Sequence, residues 1–158
     1  MLMGYAMPAR NNVGMTQVLR ADFEAAPESV PLARRAVLRS LVGRGLDRVA
    51  DTTCLLTSEL VTNAVKHAEQ SLDVVVKVDD VRVRVEVHDD GKRTPPSISD
   101  APQELGSYWL LLLSDLANRW GFEHERDGGA VSWFEVELVD QAADLQQTQR
   151  PAAFSARS

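Results

Sequence analysis

Two groups of residues have the types and spacing that chemistry requires. The first is Glu59-Leu60-Val61-Thr62-Asn63, where about 100° of turn per residue leaves Asn63 roughly 40° round a helix from Glu59. A carboxylate and an amide stacked four apart can jointly hold a hydrated Mg2+ and orient a water or hydroxyl, which suits phosphoryl transfer. Alone, such a pair is an ordinary feature of a helix surface. The second is Asp89, two residues after Val87, where the pleat turns its carboxylate to the face of Val81, Val83, Val85 and Val87. A carboxylate on a core face needs a donor, whether a backbone amide, a side chain, water or a bound ligand. Capping of the turn at Gly91 is the plain alternative.

Other chemistries find little support. The chain has no G-x-x-x-x-G-K-[ST] loop, no H-E-x-x-H and no G-x-G-x-x-G, and Gly43-Arg44-Gly45 reads as a helix stop. His67, His88 and His124 lack the spacing of a zinc site, and Ser58 beside Glu59 has no base and orienter to make a triad.

Elements that would position both groups follow from periodicity. Val18 to Phe23 alternates weakly as an opening strand, and Ser29 is a plausible N-cap for a helix carrying Ala33, Val37 and Leu41. A second helix spans about Arg48 to His67, with Leu56, Leu60 and Ala64 on a stripe that demands burial against something flat. The flat partner is a hairpin: Leu72, Val74, Val76 and Val78 alternate, then Val81, Val83, Val85 and Val87, with Asp79-Asp80 between. Beyond Asp89 comes a long loop to Gly106, then a helix over Trp109 to Asn118, and a second hairpin turning at Asp127-Gly128-Gly129. The order β-α-α-β-β-loop-α-β-β predicts an α+β two-layer sandwich, with a mixed, largely antiparallel sheet covered on one face by three helices.

Composition bounds the setting. In 158 residues, 17 Lys+Arg face 23 Asp+Glu for a net charge of −6. A chain of this length buries about 70% of its unfolded surface, so it can hold a core without a disulfide or structural metal. One cysteine, Cys54, forbids an internal disulfide, and a reducing cytoplasm is the expected location. The acidic balance argues against direct nucleic-acid binding. Arg34, Arg35, Arg39, Arg44 and Arg48 nevertheless cluster, as a solvated helix face or, alternatively, a binding patch. The longest strongly apolar stretch, Trp109 to Leu113, is far short of a membrane span, and the start lacks the charged and apolar regions of a secretory signal. Residues 1–15 read as a flexible arm, 16–139 as the folded domain and 140–158 as a disordered tail.

Taken in order, E-L-V-T-N-A-V-K-H-A, V-E-V-H-D-D-G, a proline-containing loop, L-A-N-R-W-G and W-F-E-V resemble the GHKL ATP-binding superfamily. Within it the chain is most similar to the small anti-sigma factor and serine-protein-kinase branch of actinobacterial type. The resemblance implies a Bergerat-type fold that takes ATP and Mg2+. It makes Glu59 the residue that activates the attacking hydroxyl, Asn63 the Mg2+ ligand and Asp89 the acceptor for the adenine amine. His67, Gly91, Gly106 and Ser132 would line the nucleotide, with Lys92 to Gly106 as a lid. The implied partners are a sigma factor, an anti-anti-sigma protein and a second copy of the chain. Ser107 and Trp109 stand where the family carries lid glycines, and Val131 precedes Ser132 where it carries threonine. The alternative is therefore a non-catalytic protein-binding module of the same fold that binds nucleotide weakly or not at all. In that alternative Trp109, Leu110 to Leu113 and Trp133 are either core or an apolar contact surface.

Overall fold

Valines at every second position build the middle of the sheet. In the computed structural model, which describes residues 14–91 and 108–138, the chain runs β1 (Thr16–Glu24), α1 (Ser29–Val42), α2 (Asp47–His67), β2 (Ser71–Val78), β3 (Arg82–Asp89), α3 (Tyr108–Leu116), β4 (Arg119–His124) and β5 (Ala130–Glu137). The strands lie in the order β1-β2-β3-β5-β4. Every described pairing is antiparallel, so the sheet expected to be mixed is uniform over these residues. Residues 1–13 of the arm at 1–15, the lid at 92–106 and the tail at 140–158 lie outside the described residues.

The helical stripes fall where their spacing put them. Ala33, Val37 and Leu41 on α1, and Leu56, Leu60 and Ala64 on α2, are fully buried, as are Val74, Val76, Val83, Val85, Val87 and Phe134 on the sheet. Full burial of each Val or Leu contributes about 1.5–3 kcal/mol. α2 is the central helix, touching α1, α3, β3 and β5, while α1 rests on β1 and α3 on β4. The result is the two-layer α+β sandwich.

Two local expectations are corrected. Ser29 is not an N-cap: it is the first residue of α1, behind Glu28, and its hydroxyl donates to the Glu24 carbonyl at 2.6 Å, tying the helix start to the end of β1. Val81 is 59% exposed, because the Asp79 carboxylate accepts from the amides of Val81 and Arg82 and holds Val81 in the turn ahead of β3.

The face of the sheet away from the valines carries buried charge. Arg84 and Glu135 are each 1% exposed. Arg84 donates to Glu135 at 3.0 Å and to Glu86 at 2.8 Å, and its guanidinium lies 3.9 Å from the centre of the Trp133 ring. Arg82 adds a second bond to Glu135, and Lys77 one to Glu86. Gly121 sits opposite Trp133, and a Cβ there would come within 2.6 Å of the indole.

His88 extends this network, with Nδ1 2.6 Å from Glu125 and Nε2 3.2 Å from Glu86. Burial opposes its protonation, but the Glu86 and Glu125 carboxylates outweigh burial and raise its pKa above 6.5. Burial likewise pushes Glu86 up, yet hydrogen bonds from His88 and Arg84 hold its carboxyl well below the usual range. The signs are opposite. The His88 contribution is complete below about pH 6.5 and fades as pH climbs through its raised value, whereas the Glu86 contribution is complete above about pH 4.5 and fades in acid. The proton resonances of the His88 ring are expected to titrate with a midpoint above 6.5 by NMR. A Glu125→Gln variant should lower that midpoint, and an unchanged midpoint would contradict the pairing.

Candidate functional site

β3 ends at Asp89, which lies opposite Leu72 on β2 and Ala130 on β5. Its side chain shares the helix-facing side with Val83, Val85 and Val87 and is 4% exposed. Oδ1 accepts from the Gly91 amide at 2.9 Å. The turn-capping alternative is thus realised: a backbone amide serves one of the carboxylate's oxygens. That bond also fixes the direction of the carboxylate, which is what a recognition group needs.

Gly91 is required by what lies beside it. A Cβ there would collide with the His67 carbonyl at the C-terminal end of α2 and come within 3.1 Å of Asp89 Oδ1. Gly129, in the β4–β5 turn, likewise leaves no room for a side chain, since a Cβ would lie 2.6 Å from the Asp89 carbonyl oxygen. Asp89 is held between two close backbone approaches.

Asp90, a residue outside those that type and spacing single out, completes the junction. Its carboxylate accepts from the amides of Glu69 at 2.7 Å, Gln70 at 3.1 Å and Ser71 at 3.1 Å. It clamps the α2–β2 connection to the end of β3. Slight burial raises its pKa, but the Gln70, Glu69 and Ser71 amides prevail and hold the carboxyl below its ordinary value. The available signal was the Asp-Asp-Gly run at a strand end, where short carboxylates habitually meet loop amides.

The α2 residues approach from the other layer. Asn63 is buried and Glu59 half-buried, one turn apart. One turn later comes His67, whose side chain is exposed while its carbonyl abuts Gly91. A short path therefore leads from Asp89 through Gly91 and His67 to Asn63. Ser132 is 1% exposed and pairs in register with Val87 and Phe122, which places its hydroxyl on the same helix-facing side as Asp89. Gly106 and Ser107 lie outside the described residues. Trp109 is 6% exposed within the core, Leu110, Leu113 and Trp133 are buried, and Leu111 is 48% exposed. Most of the apolar run is packing.

A buried carboxylate aimed by a turn can accept from an amine, and a buried amide oxygen suits a hard cation. Among the described residues no group of three or more His, Cys, Asp and Glu is placed to hold a metal. A cation beside Asn63 fits only as the companion of an anionic ligand that brings its own oxygens. The open cleft of about 370 Å3 that reaches Asp89 is lined by Asp73, Asp90, Glu125 and Asp127 with Arg20 and His88 among them, an acidic balance that disfavours such an anion. No helix among the described residues is long and apolar enough to cross a membrane.

The family model described as "Histidine kinase-like ATPase domain" matches residues 23–134. Eleven solved chains match. One is the Acinetobacter baumannii histidine kinase AdeS, 12% identical, with a TM-score of 0.47 over 79% of this chain and 70% of that one. No curated protein matches the chain.

Proposed function

The chain belongs to the histidine kinase-like ATPase domain family, within the GHKL superfamily, and from that premise we propose that it is an ATP-dependent regulator that phosphorylates a serine on a partner protein. The observation that carries this reading is Asp89, buried on the helix-facing side and aimed by the Gly91 amide. In it, the carboxylate accepts from the exocyclic amine of adenine. Guanine, with a carbonyl at that position, would set acceptor against acceptor and be rejected. Gly91 lets the backbone pass close to the base, and Ser132 offers a hydroxyl beside it. The Asn63 amide oxygen takes one position on Mg2+, while Glu59 accepts the proton of the attacking hydroxyl. Bound ATP with its Mg2+ supplies the phosphoryl group.

The regulatory half of the reading rests on the resemblance to the anti-sigma branch. The substrate serine lies on an anti-anti-sigma protein, and its modification decides whether a sigma factor is held or released in the cytoplasm, with a homodimer as the working form. A second reading, a binding module with a weakened nucleotide site, is favoured by Trp109, an indole where the family carries glycine.

One substitution tests the chemistry apart from binding. Glu59→Ala should lower phosphate release from ATP by about 100-fold or more while changing nucleotide affinity by less than about threefold. Undiminished turnover removes Glu59 from the mechanism. If the native chain binds no ATP at millimolar nucleotide but Trp109→Gly does, the binding-module reading replaces the kinase.

A further inference from the structure

The face where α1 meets α2, away from the sheet, carries features that nucleotide chemistry does not use. A cavity of about 360 Å3 lies between the helices, lined by Pro31, Arg34, Arg35 and Leu38 of α1 and by Asp51 and Cys54 of α2. Helical spacing extends both walls: Val42 follows Leu38 by four residues, and Leu55 follows Asp51 by four. Leu38, Val42 and Leu55 are 39%, 48% and 42% exposed. Large apolar side chains aligned on one groove at this exposure are unusual unless something covers them.

Charge says what the cover is made of. Although the chain carries −6 overall, Arg34, Arg35 and Arg39 project from this part of α1, all exposed, and outnumber Asp51 on the facing wall. None of the three makes an ion pair among the described residues. We infer that the α1–α2 groove docks an acidic, leucine-bearing amphipathic helix of a partner protein, its leucines between Leu38 and Leu55 and its carboxylates on Arg34 and Arg35. Helix-in-groove recognition needs this pairing of an apolar floor with a charged rim. A second copy seated through this same groove suits the rim poorly, because a two-fold contact would set one arginine rim against the other. The surface deepens the regulatory part of the proposed function and requires no nucleotide. α2 joins the two regions, with Asp51, Cys54 and Leu55 on its first half and Glu59 and Asn63 on its second.

Cys54 is a built-in reporter. It is the one cysteine, lies in the groove wall and is 8% exposed, with Sγ 3.8 Å from the Arg34 carbonyl. The full chain is treated with a maleimide at mildly alkaline pH, since burial pushes the Cys54 thiol up. The probe is a helical peptide bearing leucines at i, i+3 and i+7 flanked by glutamates; its control replaces the glutamates with lysines. At about ten times its dissociation constant, the acidic peptide should slow labelling about tenfold, and the lysine peptide should not. In Arg34→Glu/Arg35→Glu the preference should reverse. Both arginines are exposed, so the fold should tolerate the change; Arg35→Glu alone, which should abolish the preference, is the second variant. Equal protection by both peptides, or none by either, overturns the inference. Protection that rises with protein concentration alone, with a dimer by sedimentation, assigns the groove to a second copy and overturns it too. ATP binding is measured on the same samples by calorimetry, so a failed groove and a failed nucleotide site are told apart.

Discussion

Replacing Arg84 by alanine is expected to cost about 3–5 kcal/mol of unfolding free energy, as much as truncating a large core side chain. Arg84 is 1% exposed and touches two carboxylates and an indole. Without it Glu135, itself 1% exposed, keeps Arg82 alone among the described residues, while Glu86 leans harder on Lys77 and His88. Two anions would then sit side by side on β3 and β5 with too few donors. The cost comes from the stranded carboxylates rather than from the worth of the pair, so removing charge on both sides should recover much of it. Arg84→Leu/Glu135→Leu is accordingly expected to be more stable than Arg84→Ala in urea unfolding. A double variant as weak as the sum of its single changes would show that the two residues do not act on one another.

Much of the fold was legible because burial has a period. The valines of β2 and β3 and the stripes on α1 and α2 announced their faces, and their spacing alone located the two layers. Period two says which side of a sheet a residue occupies, not what lies over that side. Alternation therefore puts Arg84 and Glu86 on the side away from the valines and no more, and their burial with Glu135 follows from the pairing of β3 with β5, far along the chain. Val81 extends the alternation but falls in the turn, because Asp79 decides where β3 begins. Ser29 has the right type for a cap, yet the nearby Glu24 carbonyl takes its hydroxyl.

The site was legible to a similar depth. Glu59, Asn63 and Asp89 were picked out by type and spacing, and α2 and the end of β3 do meet, at His67 and Gly91. Hidden in the sequence was the fastening between them. Asp90 binds three consecutive amides of the connection that follows α2, a contact between segments about 20 residues apart that no local pattern records. At Asp89 the turn cap is the observed contact: one oxygen accepts from the Gly91 amide, and the same bond orients the group.

Asp89 should in turn decide which base is accepted. A carboxylate with a fixed direction gains a charge-assisted hydrogen bond from an amine and suffers repulsion from a carbonyl, and sites of that kind reject the wrong partner by about 100-fold or more. Asp89→Asn retains an oxygen for the Gly91 amide, so the junction with α2 should survive while the acceptor for the base is weakened. Its affinity for ATP is expected to fall by about 100-fold, or about 2.7 kcal/mol, with little change in melting temperature.

The most direct measurement is a calorimetric titration of the native chain and of Asp89→Asn with Mg·ATP and with Mg·ITP, whose base has a carbonyl in place of the amine. The native chain should bind ATP about 100-fold more tightly than ITP, and Asp89→Asn should lose most of that preference. Equal affinity of the native chain for the two nucleotides, or a preference that survives in Asp89→Asn, would contradict the assignment of Asp89 as the group that reads the base.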